Sequence, residues 1–341
     1  MIRVLIAEDS ASVKAYLEYL IKSADDMEVV AVVSNGEEAV RLTCELKPDV
    51  VAMDIHMPVM DGYNATRCIM SQCPTPVVIV SSLIHGSDAR ETFRIMEVGA
   101  VAAVPKPPGP GSAHAQQEAE TFIRTLREMA GVKVSKPTVV APPVIVHAVA
   151  KKVSDYRLVV IGSSTGGPVA LQTLLRELSA DFPLPIVVVQ HISVGFIAGM
   201  VKWLSQSCAL PISVANAGET VQAGRVYFAP DGAHLGINRQ GVLSLNYDPP
   251  FHSVRPAVSY LFGSTAQNYG KKAIGVMLTG MGRDGAQEML AMKNTGAVTL
   301  VQDQASCVVY GMPGAAAQLG VGDYHLPPAK IGLQLVALAA K

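Results

Sequence analysis

The chain has 341 residues, a length that predicts two domains, and half of its residues are hydrophobic, enough for two packed cores. Its formal net charge of −1 excludes a global basic field of the kind that recruits nucleic acid or anionic lipid. No direct membrane insertion is expected, because no apolar run approaches the roughly 20 residues of a membrane-spanning helix.

The cysteines and the N-terminus together predict a cytoplasmic protein. The N-terminal apolar run ends at Glu8 and Asp9 and lacks a small-residue cleavage site, so it does not predict a signal peptide. The cysteine pattern predicts neither a disulfide framework nor a zinc site, because the five residues are odd in number and contain no Cys-x-x-Cys pair. These cysteines are Cys44, Cys68, Cys73, Cys208 and Cys307.

Short apolar runs alternate with amphipathic stretches over residues 1–130. The runs are β-branched and nearly continuous, as strands buried on both faces of a parallel sheet are. Five such β-α units predict a doubly wound, flavodoxin-like domain with a five-stranded parallel sheet. The predicted strands are residues 3–7, 29–33, 50–53, 77–80 and 100–104.

Residues 131–156 contain three prolines and no helical period, which predicts a linker. A second β-α series begins at residue 157 and predicts a second domain over residues 157–341. Residues 226–230 and 242–246 flank turn-forming residues and suggest antiparallel strands, so we expect a doubly wound, mixed, mainly parallel sheet. The strands predicted to be parallel are residues 158–162, 186–190, 273–278 and 297–301.

Polar residues follow four strands of the first predicted sheet. Glu8 and Asp9 follow the first strand, Asp54 the third, and Lys106 the fifth, while Ser81 ends the fourth. Because the carboxyl ends of parallel strands share one edge, these side chains are expected to meet there. Crowded carboxylates repel one another unless a cation joins them, and oxygen ligands suit Mg²⁺. Asp54 then becomes a candidate nucleophile toward a phosphoryl group; the alternative is a set of solvated loop acids.

At these positions the first 130 residues resemble the response-regulator receiver family. The resemblance implies that Asp54 is the phosphoacceptor, and that Ser81 and Lys106 are the residues that respond to the phosphate. It also implies a histidine kinase as phosphodonor. The motifs that carry it are EDS (8–10), MDIHMPVMDG (53–62), PVVIVSS (76–82) and PKP (105–107).

The same resemblance implies a Mg²⁺ site in the first domain. Asp9 and Asp54 would bind the ion directly, Glu8 through water, and His56 through its backbone carbonyl. Glu8 stands where the family more often has Asp, and His56 occupies a position that flanks the acyl phosphate.

Three residues of the second domain suggest nucleophilic catalysis. Ser164 lies in a G-x-S-x-G turn after a strand, a pattern that also suits a bound phosphate. His191 and Asp284 each follow another predicted parallel strand, so one sheet edge is expected to gather Ser, His and Asp. A serine hydroxyl needs a histidine base, and that base needs a carboxylate to orient it. Alternatively, His191 is a satisfied strand-end histidine and Asp284 caps the helix after Gly285.

The second domain resembles the chemotaxis protein-glutamate methylesterase family, CheB. The resemblance implies Ser164 as nucleophile, His191 as general base and acid, Asp284 as its orienter, and the Met281 amide in an oxyanion hole, with no cofactor in this domain. In two places the chain departs from the family: Ser163 replaces Ala, and RPAVS (255–259) replaces RPSVD. The motifs are IGSSTGGP (161–168), VVQHI (188–192), APDGAHL (229–235), RPAVSYLF (255–262), VMLTGMGRDGA (276–286) and DQASCVVYGMPGAA (303–316).

Together the two resemblances imply a phosphorylation-activated methylesterase. It would hydrolyse glutamyl methyl esters on methyl-accepting chemoreceptors, also deamidate receptor glutamines, and be autoinhibited by its receiver until Asp54 is phosphorylated. Two alternatives stay open at this stage. One is a response regulator with a DNA-binding output, which needs a basic helix-turn-helix. The other is an inactive hydrolase-like scaffold that recruits partners.

Overall fold

The structure is a computed structural model that describes residues 1–81, 89–109, 115–132, 134 and 155–340. The chain divides into two compact units, Met1–Val140 and Ala141–Lys341. The predicted linker over residues 131–156 lies almost wholly outside the described residues. None of the helices in the described parts is long and apolar enough to cross a membrane.

The first unit contains a five-stranded parallel sheet in the order β2-β1-β3-β4-β5, which confirms the predicted fold. The order reverses at β1, so the crevice between the carboxyl ends of β1 and β3 is where such a fold binds ligands. The strands are β1 (Ile2–Ala7), β2 (Met27–Val33), β3 (Val50–Met53), β4 (Val77–Ser81) and β5 (Ala102–Pro105). The helices are α1 (Ala11–Lys22), α2 (Gly36–Leu46), α3 (Gly62–Gln72), α4 (Ala89–Glu97) and α5 (Ala115–Met129).

The second unit is built on a seven-stranded sheet in the order β14-β13-β12-β6-β7-β9-β8. The order reverses at β6, between β7 on one side and β12 on the other, which places a second ligand-binding crevice there. The strands of this sheet are β6 (Leu158–Ser163), β7 (Ile186–Gln190), β8 (Ile212–Val214), β9 (Val226–Phe228), β12 (Ala273–Met277), β13 (Val298–Gln302) and β14 (Tyr324–Leu326).

The α/β class is confirmed, but the main sheet is parallel at every described pairing rather than mixed. β9, expected to be antiparallel, pairs parallel with β7 and β8. The antiparallel pairing occurs in a separate two-stranded ribbon of β10 (His234–Ile237) and β11 (Leu243–Asn246). The turn residues between them therefore close this ribbon and do not join β9 to its neighbour.

Helices flank the second sheet and bury its core. Val160, Val187 and Met277 are fully buried within one cluster with Val258 and Leu261. Strands held in this way present their carboxyl ends as a fixed edge. The helices are α6 (Gly167–Leu175), α7 (Ile197–Leu204), α8 (Val258–Asn268), α9 (Ala286–Asn294), α10 (Met312–Gln318) and α11 (Pro328–Ala339).

One disulfide bond joins Cys44 and Cys73, which corrects the expectation drawn from the cysteine pattern. Cys44 lies in α2 and Cys73 follows α3, and these two helices pack against each other. The two residues are 29 positions apart, a separation that no sequence motif marks. The other cysteines, Cys68, Cys208 and Cys307, are free thiols.

Candidate functional site

The acidic residues of the first unit meet at the sheet edge as predicted. β1 and β3 pair with Ala7 beside Met53, so Glu8 and Asp54 leave neighbouring strands at the same level. One carboxylate oxygen from each of Glu8, Asp9 and Asp54 lies within 4.8 Å of the others. Glu8 and Asp54 are buried, whereas Asp9 is exposed.

Lys106 joins this cluster. Its Nζ lies 2.8 Å from Glu8 Oε2 and 3.0 Å from Asp54 Oδ2. Burial raises the pKa of the Glu8 carboxyl and the Asp54 charge adds to this, although Lys106 opposes both. Burial also disfavours the Lys106 ammonium, but its two carboxylate partners outweigh burial and raise the pKa of Lys106. The cluster therefore holds a charged lysine between two buried acids.

The donor set of this cluster fits a hard cation. Glu8 Oε2 is buried and makes no well-aligned hydrogen bond despite its closeness to Lys106. Three carboxylates that converge in this way are the ligands that divalent ions with oxygen ligands prefer. Ser81 ends β4, is buried, and its carbonyl accepts from the Lys106 N–H at 3.0 Å. His56 is exposed, two residues beyond Asp54.

Ser164 follows β6 at the corresponding edge of the second sheet. The last residues of β6 and β7 pair in register, Ser163 beside Gln190, so Ser164 and His191 each stand one residue beyond that pair. Neighbouring strands are about 4.8 Å apart, which makes Ser164 and His191 neighbours. The half-buried Ser164 donates its backbone N–H to Thr279 O at 3.0 Å. In the described part of the chain its hydroxyl makes no hydrogen bond, which leaves the hydroxyl able to turn toward a substrate.

The imidazole of His191 meets the carboxylate of Asp284. Nε2 of His191 lies 2.9 Å from Oδ2 of Asp284, and both side chains are largely buried. The approach is not aligned for a linear hydrogen bond. Because Asp284 faces Nε2, Nδ1 is the ring nitrogen that remains for another partner.

Asp284 caps a helix, but not the one that follows it. Its two carboxylate oxygens accept from the N–H groups of Val258, at 2.6 Å, and Ser259, at 3.1 Å, at the start of α8. α9 begins instead after Gly285, without a side-chain cap. Burial opposes the charge of Asp284, but His191 and the Ser259 groups outweigh burial and lower the pKa of Asp284.

A glycine-containing turn packs directly on Ser164. A Cβ atom at Gly280 would lie 2.7 Å from the Ser164 Cβ and 3.0 Å from its backbone nitrogen, so only glycine allows this approach. Met281 follows Gly280, with 41% of its surface exposed. The peptide N–H of Met281 makes no hydrogen bond within the described residues. The turn therefore brings a free amide to the neighbourhood of the hydroxyl.

Two protein-family models match the chain, one within each unit. The family model for the CheB methylesterase matches residues 159–335, and that for the response regulator receiver domain matches residues 4–117. A protein-glutamate methylesterase/protein-glutamine glutaminase from Geobacter metallireducens is 44% identical over 344 residues, covering 99% of each chain. The chain belongs to the CheB methylesterase family. A relative of the same name from Methanospirillum hungatei is 40% identical and covers 100% of this chain and 99% of its own.

The CheB relationship extends to the fold of the second unit. The crystal structure of the Thermotoga maritima CheB methylesterase catalytic domain is 40% identical, with a TM-score of 0.53, and covers 54% of this chain and 98% of its own. An α/β unit of this family contradicts the alternative of a helix-turn-helix output. The receiver domain and its acidic cluster, able to bind a metal, form the other part of this CheB family member.

Several polar contacts around Ser164, His191 and Asp284 were not predicted from the sequence. Gln190 and Ser163 are buried and hydrogen-bonded beneath Ser164 and His191. The Ser259 hydroxyl donates to Glu288 Oε2 at 2.7 Å and accepts from the Gly285 N–H at 2.9 Å. The sequence position of Gln190 could have indicated its importance, since it ends a predicted buried strand immediately before His191.

Proposed function

We propose that the chain is a protein-glutamate methylesterase whose activity is raised by phosphorylation of Asp54. It hydrolyses γ-glutamyl methyl esters of chemoreceptors to glutamate and methanol. By the same route it deamidates receptor glutamines to glutamate and ammonia. The observation that carries this proposal is the 2.9 Å contact between His191 and Asp284 at the edge where Ser164 ends its strand.

The first half of the reaction forms an acyl enzyme. Ser164 Oγ attacks the ester carbonyl while His191 Nδ1 takes the hydroxyl proton, because an unassisted serine is too weak a nucleophile at neutral pH. The carbonyl oxygen becomes an oxyanion, to which the Met281 N–H donates. The imidazolium then returns its proton to the departing methoxide, so methanol leaves and the glutamyl group stays on Ser164.

The second half restores the enzyme. A water molecule loses its proton to His191 Nδ1 and attacks the acyl carbonyl, and the proton then returns to Ser164 Oγ as glutamate leaves. Asp284 acts through His191: its negative charge, 2.9 Å from Nε2, stabilises the imidazolium formed in each half. The same carboxylate is fixed by the N–H groups of α8, so it has little freedom to rotate away.

The receiver supplies the control. Asp54 takes a phosphoryl group from a chemotaxis histidine kinase, and Lys106 stays beside the new charge as its partner. Ser81, at the end of the adjacent strand, turns its hydroxyl toward the phosphate. Residues Glu8, Asp9 and Asp54, with the His56 carbonyl, would hold Mg²⁺. When bound, the ion offsets the negative charge that gathers on the phosphoryl oxygens.

Without phosphate the receiver keeps the esterase activity low. This follows from the combination of one phosphorylation switch and one hydrolase in a single chain, and a local charge change biases such a switch. The substrates implied are methylated glutamates on the cytoplasmic helices of chemoreceptors. We therefore also place the protein in the cytoplasm.

Methanol release from methylated chemoreceptors tests the proposal. The full-length protein is expected to release methanol, faster with acetyl phosphate and Mg²⁺ than without. Ser164→Ala is expected to fold and bind receptor but to release methanol at the uncatalysed rate. Methanol release by Ser164→Ala at the wild-type rate, or none by the wild-type protein, would contradict the proposal.

A further inference from the structure

Gln190 directly precedes His191 in the chain and lies beside the end of β6, the strand that Ser164 follows. It ends β7, is 2% exposed, and pairs in register with Ser163 at the end of β6. Its amide nitrogen donates to two backbone carbonyls, Ser164 O at 2.8 Å and His191 O at 2.7 Å. The side chain thus bonds to both of the peptide units that carry the reacting groups.

The orientation of this amide is fixed by its surroundings. The Ser163 hydroxyl donates to Gln190 Oε1 at 2.7 Å within the buried interior. If the amide were flipped, its oxygen would face the carbonyl oxygens of Ser164 and His191, which offer no proton. Gly167 completes the pocket, because a Cβ atom there would lie 2.1 Å from Oε1.

The resulting network restrains the Ser164 turn more than the strands alone do. The Ser164 carbonyl accepts from both Gln190 Nε2 and the Gly167 N–H, each at 2.8 Å, which uses both of its lone pairs. The His191 N–H donates to Ser163 O at 2.9 Å. The ends of β6 and β7 are therefore joined by side-chain and backbone hydrogen bonds next to Ser164 and His191, the pair that must transfer a proton.

We propose that Gln190 is a positioning residue for the esterase reaction and that the Ser163 hydroxyl orients it. The inference rests on the proposed function of Ser164 and His191. Gln190 touches neither substrate nor the reacting atoms; it fixes the distance and angle between Oγ and Nδ1 through the two carbonyls. It also gives a role to Ser163, the serine that stands where the CheB family usually has Ala.

Gln190→Met tests the positioning role, since methionine has a similar length but no amide. We expect kcat for methanol release to fall about 10- to 100-fold with KM changed less than twofold, because small misplacement of reacting groups costs about that much. The matched control is Gln172→Met, which removes another buried amide, bonded to Ser207 Oγ at 3.1 Å. The control is expected to keep the wild-type kcat, and both variants are checked for unfolding free energy.

A double-mutant cycle tests the link to Ser163. Ser163→Ala alone is expected to lower kcat about 3- to 10-fold, but less than twofold when Gln190 is already methionine, because the hydroxyl acts through that amide. Additive losses would overturn the role of Ser163. If Gln190→Met does not fold, the Ser163→Ala result decides: an unchanged kcat, or a change in KM alone, overturns the proposal.

The outcomes for this inference and for the proposed function can be told apart. Wild-type kcat in Gln190→Met, with Ser164→Ala inactive, overturns the positioning role and leaves the esterase proposal standing. Wild-type methanol release by Ser164→Ala overturns both. An equal loss of kcat in Gln190→Met and Gln172→Met assigns Gln190 to general stability and also overturns its positioning role.

Discussion

His191 and Asp284 meet at 2.9 Å, and the same Asp284 carboxylate caps α8 through the N–H groups of Val258 and Ser259. One buried carboxylate therefore serves two purposes: it orients the imidazole and it begins a helix. The helix cap restricts the carboxylate to one position, and that position determines which nitrogen of His191 it faces. Different substitutions at Asp284 are therefore expected to change activity and stability independently.

Asparagine and alanine at position 284 separate these two effects. Asp284→Asn is expected to lower kcat about 10³- to 10⁴-fold, because an amide cannot stabilise the imidazolium, while its single oxygen still accepts from one of the two α8 N–H groups. Asp284→Ala is expected to lose similar activity and a further ~1 kcal/mol of unfolding free energy with the cap. Steady-state kinetics and urea unfolding measure the two quantities. Equal stability of the two variants would contradict the capping role.

The lowered pKa of Asp284 predicts how its stabilising effect depends on pH. A carboxyl group with a lower pKa in the folded than in the unfolded protein stabilises the fold above the unfolded value of about 3.9. That contribution is lost as the pH falls through the folded pKa. The difference in unfolding free energy between wild type and Asp284→Asn should therefore shrink as the pH falls below 4. A difference that grows below pH 4 would refute the assignment.

Asp54→Asn tests the phosphoacceptor. Acetyl phosphate with Mg²⁺ should stimulate methanol release by the wild-type protein but not by this variant, whose basal rate should match the unstimulated wild type. Asp26→Asn is the matched control, since Asp26 is an aspartate of the same domain that pairs with Arg127 outside the acidic cluster. The control should be stimulated normally. Stimulation of Asp54→Asn to the wild-type level would exclude Asp54 as the acceptor.

Cys307 is a free thiol of the second unit that is not expected to react. Burial raises the pKa of this thiol to about 12, and the thiolate is the nucleophilic form. Its alkylation by iodoacetamide at pH 8 should be at least about tenfold slower than that of a free cysteine derivative, even after allowing for the greater nucleophilicity of a basic thiolate. The rate should rise about tenfold per pH unit up to pH 11. Peptide mapping by mass spectrometry measures it, and rapid labelling at pH 8 would disprove the burial argument.

The sequence predicted the parts of the fold that depend on local pattern. Buried runs such as residues 50–53 and 186–190 coincide with strands β3 and β7, because a strand covered on both faces must be apolar throughout. Since parallel strands share a carboxyl edge, Glu8 and Asp54 were expected together, and Asp284 near His191. These predictions depend only on the direction of neighbouring strands and not on how distant parts of the chain pack together.

The features that the sequence did not predict depend on long-range packing. Asp284 caps α8, which begins 26 residues earlier in the chain, because packing brings the N-terminus of α8 to Asp284 and away from α9. Cys44 and Cys73 become partners only where α2 and α3 pack together. Gln190 carries no signal in its residue type; its importance comes from the two carbonyls that it reaches.

Labelling with a serine-directed fluorophosphonate tests the central claim most directly, because it reports which hydroxyl is activated and by what. The adduct should map to Ser164 and not to the adjacent Ser163. It should be absent from Ser164→Ala and form at least about 10³-fold more slowly in His191→Ala. An adduct on Ser163, no adduct in the phosphorylated wild-type protein, or an unchanged rate without His191 would contradict the account.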